Sequence, residues 1–221
     1  MRNGLMALAL LFATDGAFAQ TPLYWALTNN DVAELWSQTE TDPLPDLLDE
    51  TGLTPPAWAV GRGNAEVVTE LLWRGFPLDE IDADGRNLLF SAAALGRVDL
   101  FDTILAAGAP WDQVDNNGQT LIHAAASSPH PEMLEKLLVL GLGATELSSS
   151  GVTPLMLACL AGKADHSAVL LAWGAIAEDQ DYLGRSVRDY AVRGGDKKTL
   201  DLIDAALTPW TIEQDGEVPP P

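Results

Sequence analysis

The sequence predicts an all-α solenoid of about six helix-turn-helix units joined by hairpin loops, and three observations predict it. First, Gly52, Gly85, Gly118, Gly151 and Gly184 follow one another at 33 residues. A fixed period of about 20 to 50 residues marks a stacked repeat protein. Second, other columns keep phase with these glycines. Ala59, Ala92, Ala125, Ala158 and Ala191 form one, and Thr54, Asn87, Thr120, Thr153 and Ser186 another. Gly63, Gly96, Gly162 and Gly195 form a third, with Pro129 as the exception, and Gly75, Gly108, Gly141 and Gly174 a fourth. Third, the body from Thr21 to about Leu207 reads as helix, turn, helix, loop, repeated.

The elements follow in chain order. Residues 1–19 read as a secretory signal peptide: Arg2 is the positive end, Leu5 to Ala13 an apolar run, and Ala17-Phe18-Ala19 a small-residue cleavage site. Cleavage after Ala19 predicts a periplasmic or secreted bacterial protein with no membrane anchor left. The run is too short to span a bilayer. Cys159 is the only cysteine, so no lipid-attachment cysteine follows the signal and no internal disulfide can form.

The repeat domain is expected over 20–207. Residues 20–48 form a degenerate N-terminal cap, because Asp42-Pro43-Leu44-Pro45 prevents regular helix. Repeats start near 49, 82, 115, 148 and 181. The cycle from Gly151 to Glu178 is the clearest. There Thr153 caps a helix, Pro154 suits its first turn, and Gly162 ends it. A second helix carries Val169, Leu170 and Leu171 on its expected buried face, and Gly174-Ala175 closes it. Residues 208–221, acidic and ending in three prolines, read as a flexible tail.

A net charge of -20 opposes nucleic acid, whose phosphates need Lys and Arg, and anionic lipid as well. It favours solubility or a basic protein partner.

Gly-Val-Thr-Pro-Leu-Met-Leu-Ala-Cys-Leu-Ala-Gly at 151–162 resembles the ankyrin repeat. So does Asn-Gly-Gln-Thr-Leu-Ile-His-Ala-Ala at 117–125, as do Gly108-Ala109 and Gly174-Ala175 after second helices. The resemblance implies that His123 hydrogen-bonds a neighbouring repeat. Departures are Pro55-Pro56, the missing Thr-Pro pair near Asn87-Leu88, and a more polar last cycle suited to a cap.

No catalytic, cofactor or metal site is expected. His123, His130 and His166 show no metal-ligand spacing, and Cys159 follows Ala158 on an inner helix as a packing residue. Glu80-Ile81-Asp82-Ala83-Asp84-Gly85 superficially resembles a calcium loop, but Ser91 stands where that loop needs a bidentate Glu. It reads instead as a hairpin turn, with Asp82 in the column of Asp49, Asp115 and Asp181. The seven tryptophans read as covers for gaps between repeats, with binding anchors as the alternative.

The resemblance implies a concave binding surface of hairpin tips and first helices. Its candidate side chains are Glu50, Thr51 and Leu53; Ala83, Asp84 and Arg86; Asn116, Asn117 and Gln119; Ser149, Ser150 and Val152; and Tyr182, Leu183 and Arg185. Arg62, Leu95 and Ser128 extend it. The function expected is a protein-binding adaptor, scaffold or inhibitor, monomeric alone. The alternatives are an immunity or stress-protection protein acting on a toxin or an exported peroxide-detoxifying enzyme, and an enzyme or metal-binding protein using the acidic loops.

Overall fold

The computed structural model describes residues 55–73, 75–79 and 81–208. The signal, the N-terminal cap and the tail beyond Thr208 lie outside these residues. Five helix pairs follow one another: α1 (Pro55–Arg62) and α2 (Ala65–Trp73), α3 (Leu88–Ala94) and α4 (Val98–Ala106), α5 (Leu121–Ala125) and α6 (Glu132–Val139), α7 (Pro154–Leu160) and α8 (Ala164–Ala172), α9 (Val187–Gly194) and α10 (Lys197–Leu207). An isolated antiparallel bridge between Gln180 and Ser186 is the extended pairing recorded among the described residues.

The first helices α3, α7 and α9 start on polar caps of one column. Asn87 accepts from the Phe90 N–H at 3.2 Å, Thr153 from Met156 at 3.3 Å, and Ser186 from Asp189 at 3.2 Å. Such a cap satisfies one of the donors that a helix start leaves orphaned, and contributes about 1 kcal/mol. Pro154 sits just inside its helix, where a missing N–H costs nothing.

The helices form two rows. The first helices pack in series, α1 on α3, α3 on α5, α5 on α7 and α7 on α9. The alanine column lies along this seam: Ala59, Ala92, Ala125, Ala158 and Ala191 are all buried. Their small side chains let neighbouring helices approach, while Leu89, Ile122, Leu155 and Met156 fill the remaining space. Second helices lay one face over this row through Leu100, Phe101 and Ile104 of α4 and Met133, Leu134 and Leu137 of α6. Each such burial stabilises by about 1.5–3 kcal/mol relative to exposure.

One expectation needs correction. On α8 only Leu170 of the expected trio is fully buried; Val169 and Leu171 are half-buried, and His166 and Ser167 take the interior positions. The third pair is irregular. Pro129 replaces the helix-ending glycine, α5 is only five residues long, and the linker holds two prolines. In the outer row α2 meets α4, α6 meets α8 and α8 meets α10, whereas between α4 and α6 the row opens.

Candidate functional site

The hairpin tips are the most regular feature of the stack. At each of the four described tips a side-chain oxygen accepts two backbone N–H groups, two and four residues on. Asp82 Oδ1 takes those of Asp84 and Arg86, both at 2.9 Å. Asp115 takes Asn117 at 2.8 Å and Gln119 at 2.9 Å; Asp181 takes Leu183 and Arg185, both at 2.9 Å. Ser148 does this job with a hydroxyl, accepting from Ser150 at 3.4 Å and Val152 at 3.1 Å. The expected turn role of the Asp column is what the structure shows, and Ser148 joins it, which its residue type concealed.

The tips are also bonded to one another. The Asn116 N–H donates to the Asp84 carbonyl at 2.9 Å, Ser149 to Asn117 at 2.9 Å, and Tyr182 to Ser150 at 3.0 Å. The turn glycine is needed twice at such a junction. Gly118 has φ +69°, and a Cβ there would stand 2.8 Å from the Ser149 backbone nitrogen.

The candidate side chains divide into two sets. Ala83, Asp84, Asn116, Asn117, Ser149, Ser150, Tyr182 and Leu183 are exposed, as is Arg62 on α1. Tyr182 is 70% exposed and Leu183 77%. The others are not free. Val152 and Ser128 are buried, Leu95 packs against the core, and Gln119 is half-buried. Val152 is held inward by the hydrogen bond from its N–H to Ser148, and its carbonyl lies 3.0 Å from His123 Nε2. Arg86 lies 3.4 Å from the buried carboxylate of Asp115 and 3.3 Å from Asp84. Arg185 donates to Asp181 at 2.6 Å and stands with its guanidinium carbon 5.2 Å from the centre of the Tyr190 ring. These two arginines hold the frame. Glu50, Thr51 and Leu53 lie outside the described residues.

Asp181 is the centre of the last tip. Burial pushes its carboxyl upward, but hydrogen bonds from Arg185, from the Tyr190 hydroxyl at 2.7 Å and from two backbone N–H groups outweigh this and hold it well below the ordinary carboxylate range. Burial and the hydrogen bond to Asp181 push Tyr190 up to about 12.

His123 bridges units as the resemblance implied. The Val152 carbonyl requires a proton on Nε2, so in the neutral ring Nδ1 accepts from the Thr120 N–H at 3.2 Å. Burial lowers the pKa of His123, and the Val152 hydrogen bond, Glu146 and Asp115 offset this only in part. His166 is lowered too, by burial and then by Lys163. A histidine with a depressed native pKa takes its proton more readily unfolded. Its contribution is therefore complete above the unfolded value of about 6.5 and is lost as pH falls through the folded value. Melting temperature is expected to fall between pH 7.5 and pH 5.5, and less steeply in His123→Gln; equal slopes in the two proteins would contradict this assignment.

Ser128 Oγ lies 3.2 Å from His166 Nε2, a serine–histidine contact that sequence spacing did not reveal. It is no nucleophile–base pair. Ser128 donates its proton to the His130 carbonyl at 2.8 Å, and both side chains are buried. Burial raises the Cys159 thiol to about 11, so it stays protonated. Among the described residues, no group of three or more His, Cys, Asp or Glu could hold a metal ion, and no helix is long and apolar enough to cross a membrane. Among the described tryptophan side chains, Trp73, Trp111 and Trp173 are each at least half exposed.

Residues 89–181 match the family model of ankyrin repeats, in three copies. No curated protein matches the chain. Over these residues the helix pairs are ankyrin repeats, set in an all-α stack of such pairs among the described residues, and the repeat points to protein–protein interaction.

Proposed function

We propose that this ankyrin stack is a periplasmic or secreted binding module that takes one partner protein on its concave face, as an adaptor, scaffold or inhibitor. One observation carries the reading. The tip backbones are locked by the Asp and Ser acceptors and by bonds between successive tips, while the pairs Ala83-Asp84, Asn116-Asn117, Ser149-Ser150 and Tyr182-Leu183 face solvent. A rigid backbone frame loses little conformational entropy on binding, and Asn116, which donates to the Ala83 carbonyl at 3.0 Å, and Asp84, paired with Arg86, are already partly held. Tyr182 and Leu183 are the apolar anchors of this surface, since buried aromatic groups dominate interface energies. The exported setting rests on the signal-like pattern of residues 1–19, which lie outside the described residues.

The test begins with capture from a cross-linked periplasmic extract on tagged protein of residues 20–221. Binding of the purified partner is then measured by calorimetry. Tyr182→Ser with Leu183→Asp is expected to weaken it about 30-fold or more, as the loss of a hot spot of about 2 kcal/mol implies. Charge reversal at Arg86 or Arg185 is a poor probe, because it would also break the tip. Unchanged affinity in the double variant, with the fold intact by circular dichroism, would overturn the concave-face reading.

A further inference from the structure

The opening between α4 and α6 is a cavity of about 230 Å³. Phe101 and Leu105 come from α4, Leu137 and Leu140 from the α6 end, and Leu121, Leu142 and Trp111 complete the wall. Every lining side chain is apolar. Two of them stand at the surface: Trp111 is 51% exposed and Leu140 49%. An apolar cavity of about 150 Å³ already admits a benzene ring, whereas pockets for small-molecule ligands start at about 300 Å³. The space therefore suits one aromatic side chain.

The one charge beside it that no ion pair compensates among the described residues is negative. Asp102, one turn before Leu105, is matched by Lys136 across the gap at 2.7 Å. Asp112, beside Trp111, is exposed and has no ion pair among the described residues. A second copy of this chain is a poor occupant, since each carries a net charge of -20. So is the segment 209–221, whose charged residues are Glu213, Asp215 and Glu217. Its Trp210 lies two residues beyond Thr208, a reach of about 7 Å, and the cavity lies two units back.

We propose that this cavity is an anchor pocket for an aromatic side chain flanked by Lys or Arg in a partner polypeptide. It lies apart from the hairpin tips, so the proposal holds whatever the concave face binds.

The probe is the peptide acetyl-Arg-Lys-Phe-Lys-Arg-amide, with its Phe→Ala counterpart, added to the full mature chain labelled with 5-fluorotryptophan. Fluorine NMR reads each indole, and Trp111→Phe assigns the signal. The Phe peptide is expected to shift the Trp111 signal saturably and to bind at least about tenfold more tightly than the Ala peptide. Asp112→Lys should weaken it, and Leu140→Lys, at an exposed position, should abolish it. Leu183→Asp on the tip should leave it unchanged. Equal binding of the two peptides, no shift at Trp111, or loss of binding in Leu183→Asp with retention in Leu140→Lys would each overturn the proposal.

Discussion

Gly194→Ala is expected to separate the last helix pair from the rest of the stack. A Cβ at Gly194 would stand 2.1 Å from the Cys159 carbonyl oxygen and 3.0 Å from that of Leu160. Both obstacles are backbone of the preceding unit, so no side chain can rotate away. Either α9 retreats from α7 or the end of α7 deforms, and overpacking of this kind costs about 3 kcal/mol. In a solenoid each unit rests on its neighbours, so the damage should stay local. Hydrogen exchange should speed up across α9 and α10 and change little in α3 to α6. Gly195→Ala is the control. It has φ +76° but no atom within 4 Å among the described residues, so its cost is the backbone strain of about 1–2 kcal/mol. A Gly194→Ala protein as stable as Gly195→Ala would contradict the close approach of α9 and α7.

Asp181→Ala is expected to cost about 3 kcal/mol, in the range for breaking a buried ion pair. The carboxylate is 4% exposed and serves two backbone N–H groups, Arg185 and Tyr190 together. Asp181→Ser separates these roles. Ser148 shows that a hydroxyl suffices to hold the turn, so the serine variant should recover the backbone share and forfeit the partners of Arg185 and Tyr190. Its stability should fall between wild type and alanine in chemical denaturation. The Tyr190 phenol should also titrate nearer its ordinary value in both variants, because a hydrogen bond that raises it has gone. Asp82→Ala should cost less, since that carboxyl is only half-buried and burial holds its pKa up. Equal losses at Asp82 and Asp181 would show that the turn alone matters.

Much of the frame was legible because its signals are local and repeated. A cap three residues before the N–H it serves, an Asp three residues before a turn glycine, and an alanine at each seam can all be read within one cycle. The binding side chains were only half legible. Spacing placed Val152 and Ser128 beside the tips and first-helix ends, but each is claimed by a partner far along the chain: Val152 by His123, and Ser128 by His166. Arg86 and Arg185 looked like recognition charges until their carboxylates were seen beside them. The exposure of Trp73, Trp111 and Trp173 was not legible, since a sequence records an aromatic ring without recording whether a neighbouring helix covers it.

By itself, then, the sequence determined the repeat, the order of the helices and the chemistry of the turns, because each depends on residues a few positions apart. The tertiary structure alone decided which tip side chains face solvent, and that the outer row opens between α4 and α6. Those outcomes depend on how one unit meets the next, across about one period of chain, where small offsets such as the Pro129–Pro131 linker decide whether helices touch or leave a cavity.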